Sequence, residues 1–130
     1  MKKIATILVF VFICSLGFSQ NSPKIEFKLA ENILNYGNTS KKTDNGIRTF
    51  EFTNIGDAPL IIKNVFSTSE FTFPIKPTEP ILPGKTGKIE IKYNMIPGPI
   101  RKTIIIESNA TNYENGIIVL KVKGIVIADS

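Results

Sequence analysis

Apolar side chains recur at every second position along most of this chain, and that period admits few folds. In residues 24–29, Ile25, Phe27 and Leu29 alternate with Glu26 and Lys28. In 47–53, Phe50 and Phe52 alternate with Glu51 and Thr53, and in 88–93, Ile89, Ile91 and Tyr93 alternate with Lys88, Glu90 and Lys92. Successive side chains of a strand point to opposite faces, so each run reads as a half-buried strand. Shorter runs lie at 33–37, 60–66, 71–73 and 102–107, and a long one at 117–127. No window keeps the i, i+3, i+4, i+7 apolar spacing of a capped helix.

The breaks between runs are chemically specific. Asn54 to Pro59 is a turn. Gly56 tolerates positive φ, Asn54 and Asp57 hydrogen-bond local backbone, and Pro59 sets φ for the strand that follows. Asn45-Gly46, Pro97-Gly98-Pro99 and Asn115-Gly116 mark further corners. Pro74, Pro77, Pro80 and Pro83 fall in one stretch that no central strand tolerates, because each removes a ladder donor. That stretch reads as a stiff crossover. Seven to eight short antiparallel strands at near-regular spacing predict an all-β, immunoglobulin-like β-sandwich.

The expected core is Phe27, Phe50, Phe52, Leu60, Ile62, Ile89, Ile91, Tyr93, Ile104, Ile106, Leu120 and Val122, each on the apolar parity of its strand. Runs 104–106 and 117–120 are apolar at consecutive positions, which suggests partial cover on both faces or edges capped by loops. In the immunoglobulin-like order, strand 47–53 lies antiparallel beside strand 88–93. Opposite charges favour Glu51 next to Lys88 or Lys92 rather than across from Glu90.

The chain opens Met1-Lys2-Lys3, continues uncharged from Ile4 to Leu16, and reaches small residues at Gly17 and Ser19. A basic start, a short apolar run and a small-x-small site predict a secretory signal peptide over 1–19, removed after Ser19. Residues 20–130 then form a single domain. The sole cysteine, Cys14, lies in the apolar run and follows Ile13 rather than the small residue of a lipoprotein signal. Loss of Lys2 and Lys3 lowers the net charge from +5 to +3. That mild excess demands neither nucleic acid nor another polyanion, and the remaining chain holds no membrane-spanning run. The expected location is periplasmic or extracellular.

The ordered pieces Thr49-Phe50-Glu51-Phe52-Thr53-Asn54-Ile55-Gly56-Asp57-Ala58-Pro59-Leu60, Glu79-Pro80-Ile81-Leu82-Pro83-Gly84, Lys102-Thr103-Ile104 with Glu107-Ser108-Asn109, and Leu120-Lys121-Val122-Lys123-Gly124 form a recognisable series. The series resembles the bacterial exported family of unknown function DUF1573, over residues 46–124. The resemblance implies an immunoglobulin-like sandwich akin to domains of pilus chaperones, major sperm protein and ciliary cargo-type repeats. It implies no activity. Members often carry Cys-Gly-Cys-Thr before the crossover. Those cysteines fall here on Ser69 and Phe71, with Thr72 retained, and Arg48 stands where members often have histidine. Whatever the cysteine pair does elsewhere, this chain does not do.

The chain has no histidine, and its one cysteine leaves with the signal peptide. General bases, thiolate nucleophiles and soft-metal ligands are therefore missing, and no catalytic, cofactor or metal site is expected. Serine–lysine catalysis would need Ser67 or Ser69 beside a desolvated Lys63 or Lys76. Glu26, Glu51 and Glu90 alternate with apolar residues, as outward side chains do, rather than pairing for glycoside chemistry. Asp44-Asn45-Gly46 holds too few oxygens for calcium and reads as a turn. Pro83-Gly84-Lys85-Thr86-Gly87-Lys88 lacks the strand–loop–helix context of a phosphate loop. The expected role is a non-catalytic interaction or structural module, meeting another envelope protein through a strand edge or loop. The alternative is a binder of anionic envelope lipid or glycan through Lys85, Lys88, Lys92, Lys121 and Lys123; solvated outward lysines explain the same residues more simply. The sequence leaves open the partner, the binding surface and the oligomeric state.

Overall fold

A computed structural model describes residues 21–128; the expected signal peptide lies outside the described residues. Eight strands form two sheets. They are β1 (Ile25–Phe27), β2 (Ile33–Ser40), β3 (Ile47–Asn54), β4 (Ile62–Phe66), β5 (Phe71–Ile75), β6 (Thr86–Tyr93), β7 (Gly98–Ser108) and β8 (Ile117–Ile127). One sheet has the order β1-β3-β6-β5 and the other β2-β8-β7-β4. This is the immunoglobulin-like arrangement, with the first strand split between the sheets.

The β3–β6 register joins both faces of one sheet. Phe50 lies opposite Ile89 on the inner side, and Glu51 opposite Lys88 on the outer. Glu51 makes its ion pair with Lys28, the residue just after β1, at 3.7 Å, so the outer charge pattern extends from β6 across β3 to the end of β1. Inside, Phe27 packs against both Phe50 and Phe52, with ring centroids 6.0 and 5.8 Å away. Gly87 faces Phe52 across the ladder. A Cβ there would sit 2.5 Å from the Phe52 ring, so the glycine provides the space the ring fills.

Asn54 ends β3 and has no solvent exposure. Its Nδ2 donates to the carbonyls of Ala58 (2.8 Å) and Ile81 (2.9 Å), and its Oδ1 accepts from the Gly56 amide (2.9 Å) and the Lys24 amide (3.4 Å). A Cβ on Gly56 would collide with the Ser22 carbonyl oxygen, because the N-terminal segment crosses directly over the turn.

The expected core is buried throughout except at Ile62, which is half-buried and packs on the rim. There β4 begins: Ile62 lies opposite the buried Ser108, and the register shift between Ile62 and Asn64 lets both Ile62 and Val65 face inward, Ile62 at the strand's first position. The core also takes in Ile25, Leu34, Tyr36, Val65, Phe71, Met95, Ile100, Ala110, Ile118 and Val126.

Several expectations need correction. The β2–β8 pairing is parallel, not antiparallel. The chain leaves β1 through a 3-10 turn at Ala30–Asn32, where Glu31 and Asn32 have positive φ, and continues onto the other sheet. β2 runs to Ser40, beyond the expected end at Gly37. Strand β5 includes Pro74, and β7 includes Pro99. Pro74 sits in an edge strand at a register shift between Thr72 and Ile75. Pro99 lies where β7 has β8 on one side only, since β4 pairs from Ile105 onward. Both are positions that dispense with a donor. In β8 the alternation is strict. Ile118 and Leu120 are buried, while Ile117 and Val119 are exposed, with no cover on the outer face.

Phe50→Ala removes a buried ring that Phe27 packs against. It should cost about 3–5 kcal/mol, from lost transfer energy plus the cavity, against a typical stability of about 5–15 kcal/mol. A denaturant melt measures it, and an unchanged midpoint would mean that the inner and outer faces of β3 are exchanged.

Candidate interaction surface

The densest polar cluster is spent on structure. Arg48 lies on the inward parity of β3, near its open end. Its Nη1 and Nη2 donate to the two carboxylate oxygens of Asp44 at 3.0 and 2.6 Å. Asp44 also accepts from the Thr39 hydroxyl (2.7 Å) and the Gly46 amide (2.8 Å). The guanidinium stacks 4.2 Å from the Tyr36 ring centre, and the Tyr36 hydroxyl donates to the Gly46 carbonyl at 2.7 Å. Burial pushes the Tyr36 hydroxyl up to about 12. The Arg48 hydrogen bonds hold the Asp44 carboxyl well below the usual carboxylate range, despite the opposing effect of burial. The cluster clamps residues 41–46 over the end of the sandwich, and its carboxylate oxygens are committed.

The candidate serines are engaged elsewhere. Ser67 Oγ donates to the Thr103 carbonyl and Ser69 Oγ to Glu70. Lys63 and Lys76 are exposed. Strand edges are modified in several ways. The Asn112 carboxamide binds both the amide and the carbonyl of Ile25, occupying the outer edge of β1. β4 is five residues long with a register shift, and β5 carries Pro74. β2 is longer, but its ladder shifts between Asn35 and Asn38, where Asn35 Oδ1 takes the Gly37 amide.

The five lysines singled out from the sequence do not share a surface. Lys88 and Lys92 face outward on β6, with Glu90 between them and Glu51 opposite Lys88; Lys85 precedes that strand. Lys121 and Lys123 face outward on β8, in the other sheet. There they meet a residue the sequence reading passed over. Arg101 lies directly opposite Lys123, and Thr103 opposite Lys121. Ile33, Arg101, Thr103, Lys121 and Lys123 border a groove of about 300 Å³.

Beside this basic group runs an apolar row across three strands. Phe66 of β4 lies opposite Ile105 of β7, and Ile105 opposite Val119 of β8. Phe66 is 42% exposed and Val119 48%. Ile117 is exposed beside them, and Ile125 on the far side of the cations. Contiguous exposed apolar side chains with polar neighbours mark interaction sites on folded proteins. The period-two pattern of 102–107 and 117–127 contains this row, but strand order is needed to align it.

A family model described as "Protein of unknown function (DUF1573)" matches residues 27–126. Among solved structures, a protein of unknown function from Porphyromonas gingivalis W83 is 18% identical, with TM-score 0.63, over 82% of this chain and 48% of that one. The PapD-like domain 7 of human CEP192 is 13% identical, with TM-score 0.55, over 84% of this chain and 89% of that one. The periplasmic chaperone SfaE is 12% identical, with TM-score 0.51, over 82% of this chain and 58% of that one. The chain thus spans about half the length of the Porphyromonas protein. These likenesses bear out the immunoglobulin-like fold. No curated protein matches the sequence. Among the described residues no helix is long and apolar enough to cross a membrane.

Asp44 yields a pH test. Its folded pKa is lowered, so its stabilisation is fully present above the ordinary value of about 4 and is lost as pH falls toward the folded value. Asp44→Asn should cost about 1.5–3 kcal/mol at neutral pH, the worth of hydrogen bonds to a charged group. Urea melts at pH 7 and near pH 2.5 check this: the deficit against wild type should shrink at the lower pH. An equal deficit at both would show that the charge of Asp44 contributes nothing.

Proposed function

The chain belongs to the DUF1573 family of proteins of unknown function, and on that premise we propose that it is an exported, non-catalytic interaction module of the cell envelope. The observation that carries this reading is the outward apolar row Phe66–Ile105–Val119 across the β2-β8-β7-β4 sheet, exposed at Phe66 and Val119 and half-buried at Ile105. A face of this kind costs solubility when bare and gains burial energy when covered. The modified edges favour a face over an edge as the contact. The basic start, apolar run and Gly17–Ser19 site of the sequence support export, and likeness to a periplasmic chaperone is consistent with it. The residue types left in the exported chain, without histidine or cysteine, favour binding over catalysis. Binding of anionic lipid or glycan through the five lysines is the weaker reading, because those lysines are divided between two sheets and Glu51 and Glu90 accompany Lys88 and Lys92.

One experiment tests both parts. A photo-crosslinking amino acid replaces Val119 in the full chain, with a second version carrying it at Glu26 on the other sheet. The exported protein should have the intact mass of a chain beginning at Gln20, and irradiation of cells should give a discrete adduct from position 119 but not from 26. A retained Met1, or an acyl group on Cys14, would contradict export by this route. Equal or absent crosslinking at both positions would contradict the assigned face.

A further inference from the structure

The outer faces of the two sheets differ in charge pattern. On the β1-β3-β6-β5 face, Lys88 has Glu51 opposite, and Glu90 separates Lys88 from Lys92. On the β2-β8-β7-β4 face, Arg101 and Lys123 stand directly across from one another and Lys121 is two residues along from Lys123. The ion pairs among the described residues are Lys28–Glu51, Arg48–Asp44 and Lys102–Glu70, and none involves these three cations. Like charges directly opposite on a sheet destabilise it. The acid on this face of β7 is Glu107, opposite Ile117 at the other end of the ladder.

We propose that this face takes an acidic, extended protein segment, whose carboxylates sit on Arg101, Lys121 and Lys123 while its apolar side chains cover Phe66, Ile105 and Val119. The inference rests on the interaction reading above and adds the chemistry of the partner. Charge complementarity selects an anionic occupant, since carboxylates between Arg101 and Lys123 replace a repulsion with two attractions. The apolar row selects one with apolar side chains as well. Val119 and Lys123 are four residues apart on one strand, about 13 Å. An extended segment with an acid and a branched apolar residue four positions apart spans both. A second copy of this chain, packed through the same face, would set three cations against three. A lipid surface is disfavoured for two reasons. Polybasic lipid sites gather roughly four to eight cations, and here the apolar residues lie flat in a sheet rather than projecting on an insertable helix.

The test uses the exported chain and a labelled synthetic peptide with two glutamates in alternation with threonine and valines four positions on, read by fluorescence anisotropy. The same peptide with glutamines, and vesicles of phosphatidylglycerol, are the comparison probes. The glutamate peptide should bind at least about tenfold more tightly than the glutamine one, and more weakly as salt rises, as screening of exposed charge requires. Arg101→Gln with Lys123→Gln should lose that tenfold preference while melting no lower than wild type. Lys88→Gln with Lys92→Gln, on the other sheet, should keep it. Equal binding of the two peptides, no binding at millimolar peptide, or a preference that survives Arg101→Gln with Lys123→Gln overturns the proposal. Vesicle binding without peptide binding overturns it in favour of a membrane surface. If the position-119 crosslink persists in the Arg101→Gln, Lys123→Gln protein, the interaction reading stands and only the acidic chemistry of the partner falls.

Discussion

One carboxamide holds together the end of the sandwich where four segments meet. Asn54 is wholly enclosed, and its side chain bonds the turn after β3, the proline-rich crossover and the segment entering β1. Its backbone joins the entrance to β6 as well, donating to the Lys85 carbonyl at 3.0 Å and accepting from the Gly84 amide at 2.9 Å. A buried polar group left without partners costs about 1–3 kcal/mol, roughly twice what a made hydrogen bond contributes net. The segments around Asn54 are therefore coupled. If one moves, the others lose a donor or an acceptor in a place that water does not reach. The register of β3 against β6 depends on this anchor at one end and on the Phe50–Ile89 contact further along.

The same device recurs in the loop between β7 and β8. Asn109 Oδ1 accepts from the Ile61 amide at 2.7 Å and its Nδ2 donates to the Pro59 carbonyl, while Asn112 treats Ile25 as a strand neighbour would. Asparagine carries a donor and an acceptor in peptide-like geometry, so it can pair with backbone where no strand runs. The consequence reaches function. Much of the backbone at the edge of β1 and around Ile61 is already satisfied, so the proposed interaction role is assigned to a face of the sandwich rather than to these edges. The outer face of the β2-β8-β7-β4 sheet, apolar in one row and unbalanced in charge in the next, is the surface that local structure leaves unfinished.

Much of this was legible in the sequence. Period two identified all eight strands to within a few residues. The immunoglobulin-like order paired β3 with β6, and the alternation of charge in Thr49-Glu51-Thr53 and Lys88-Glu90-Lys92 placed Glu51 beside Lys88 or Lys92; the ladder puts it opposite Lys88. What period two lacks is direction and sheet membership. It could not tell that β2 runs parallel to β8, nor that Lys88 and Lys121 face away from each other on different sheets. Arg101 was hidden because Pro97-Gly98-Pro99 reads as a corner, although β7 begins at Gly98 and needs no donor on its open side there. Arg48 sits on an apolar parity where only a partner brought in by a loop explains a charge, and Asp44 is that partner.

Replacing Asn54 is the most direct measurement of whether this coupling holds the sandwich. Asn54→Ala strands the Ala58 carbonyl and the Gly56 amide and takes from the Ile81 carbonyl one of its two donors, the other being the Leu60 amide. Asn54→Asp keeps the acceptor but turns a second oxygen toward the two carbonyls. Equilibrium urea unfolding should show both variants losing about 3–5 kcal/mol, the range of a broken buried network rather than of a surface change. Gly56→Ala, which disturbs the same crossing from the opposite side, should fall with them. If Asn54→Ala melts within about 0.5 kcal/mol of wild type, as a surface substitution does, the four segments are held by apolar packing alone, and the anchoring role assigned to Asn54 is wrong.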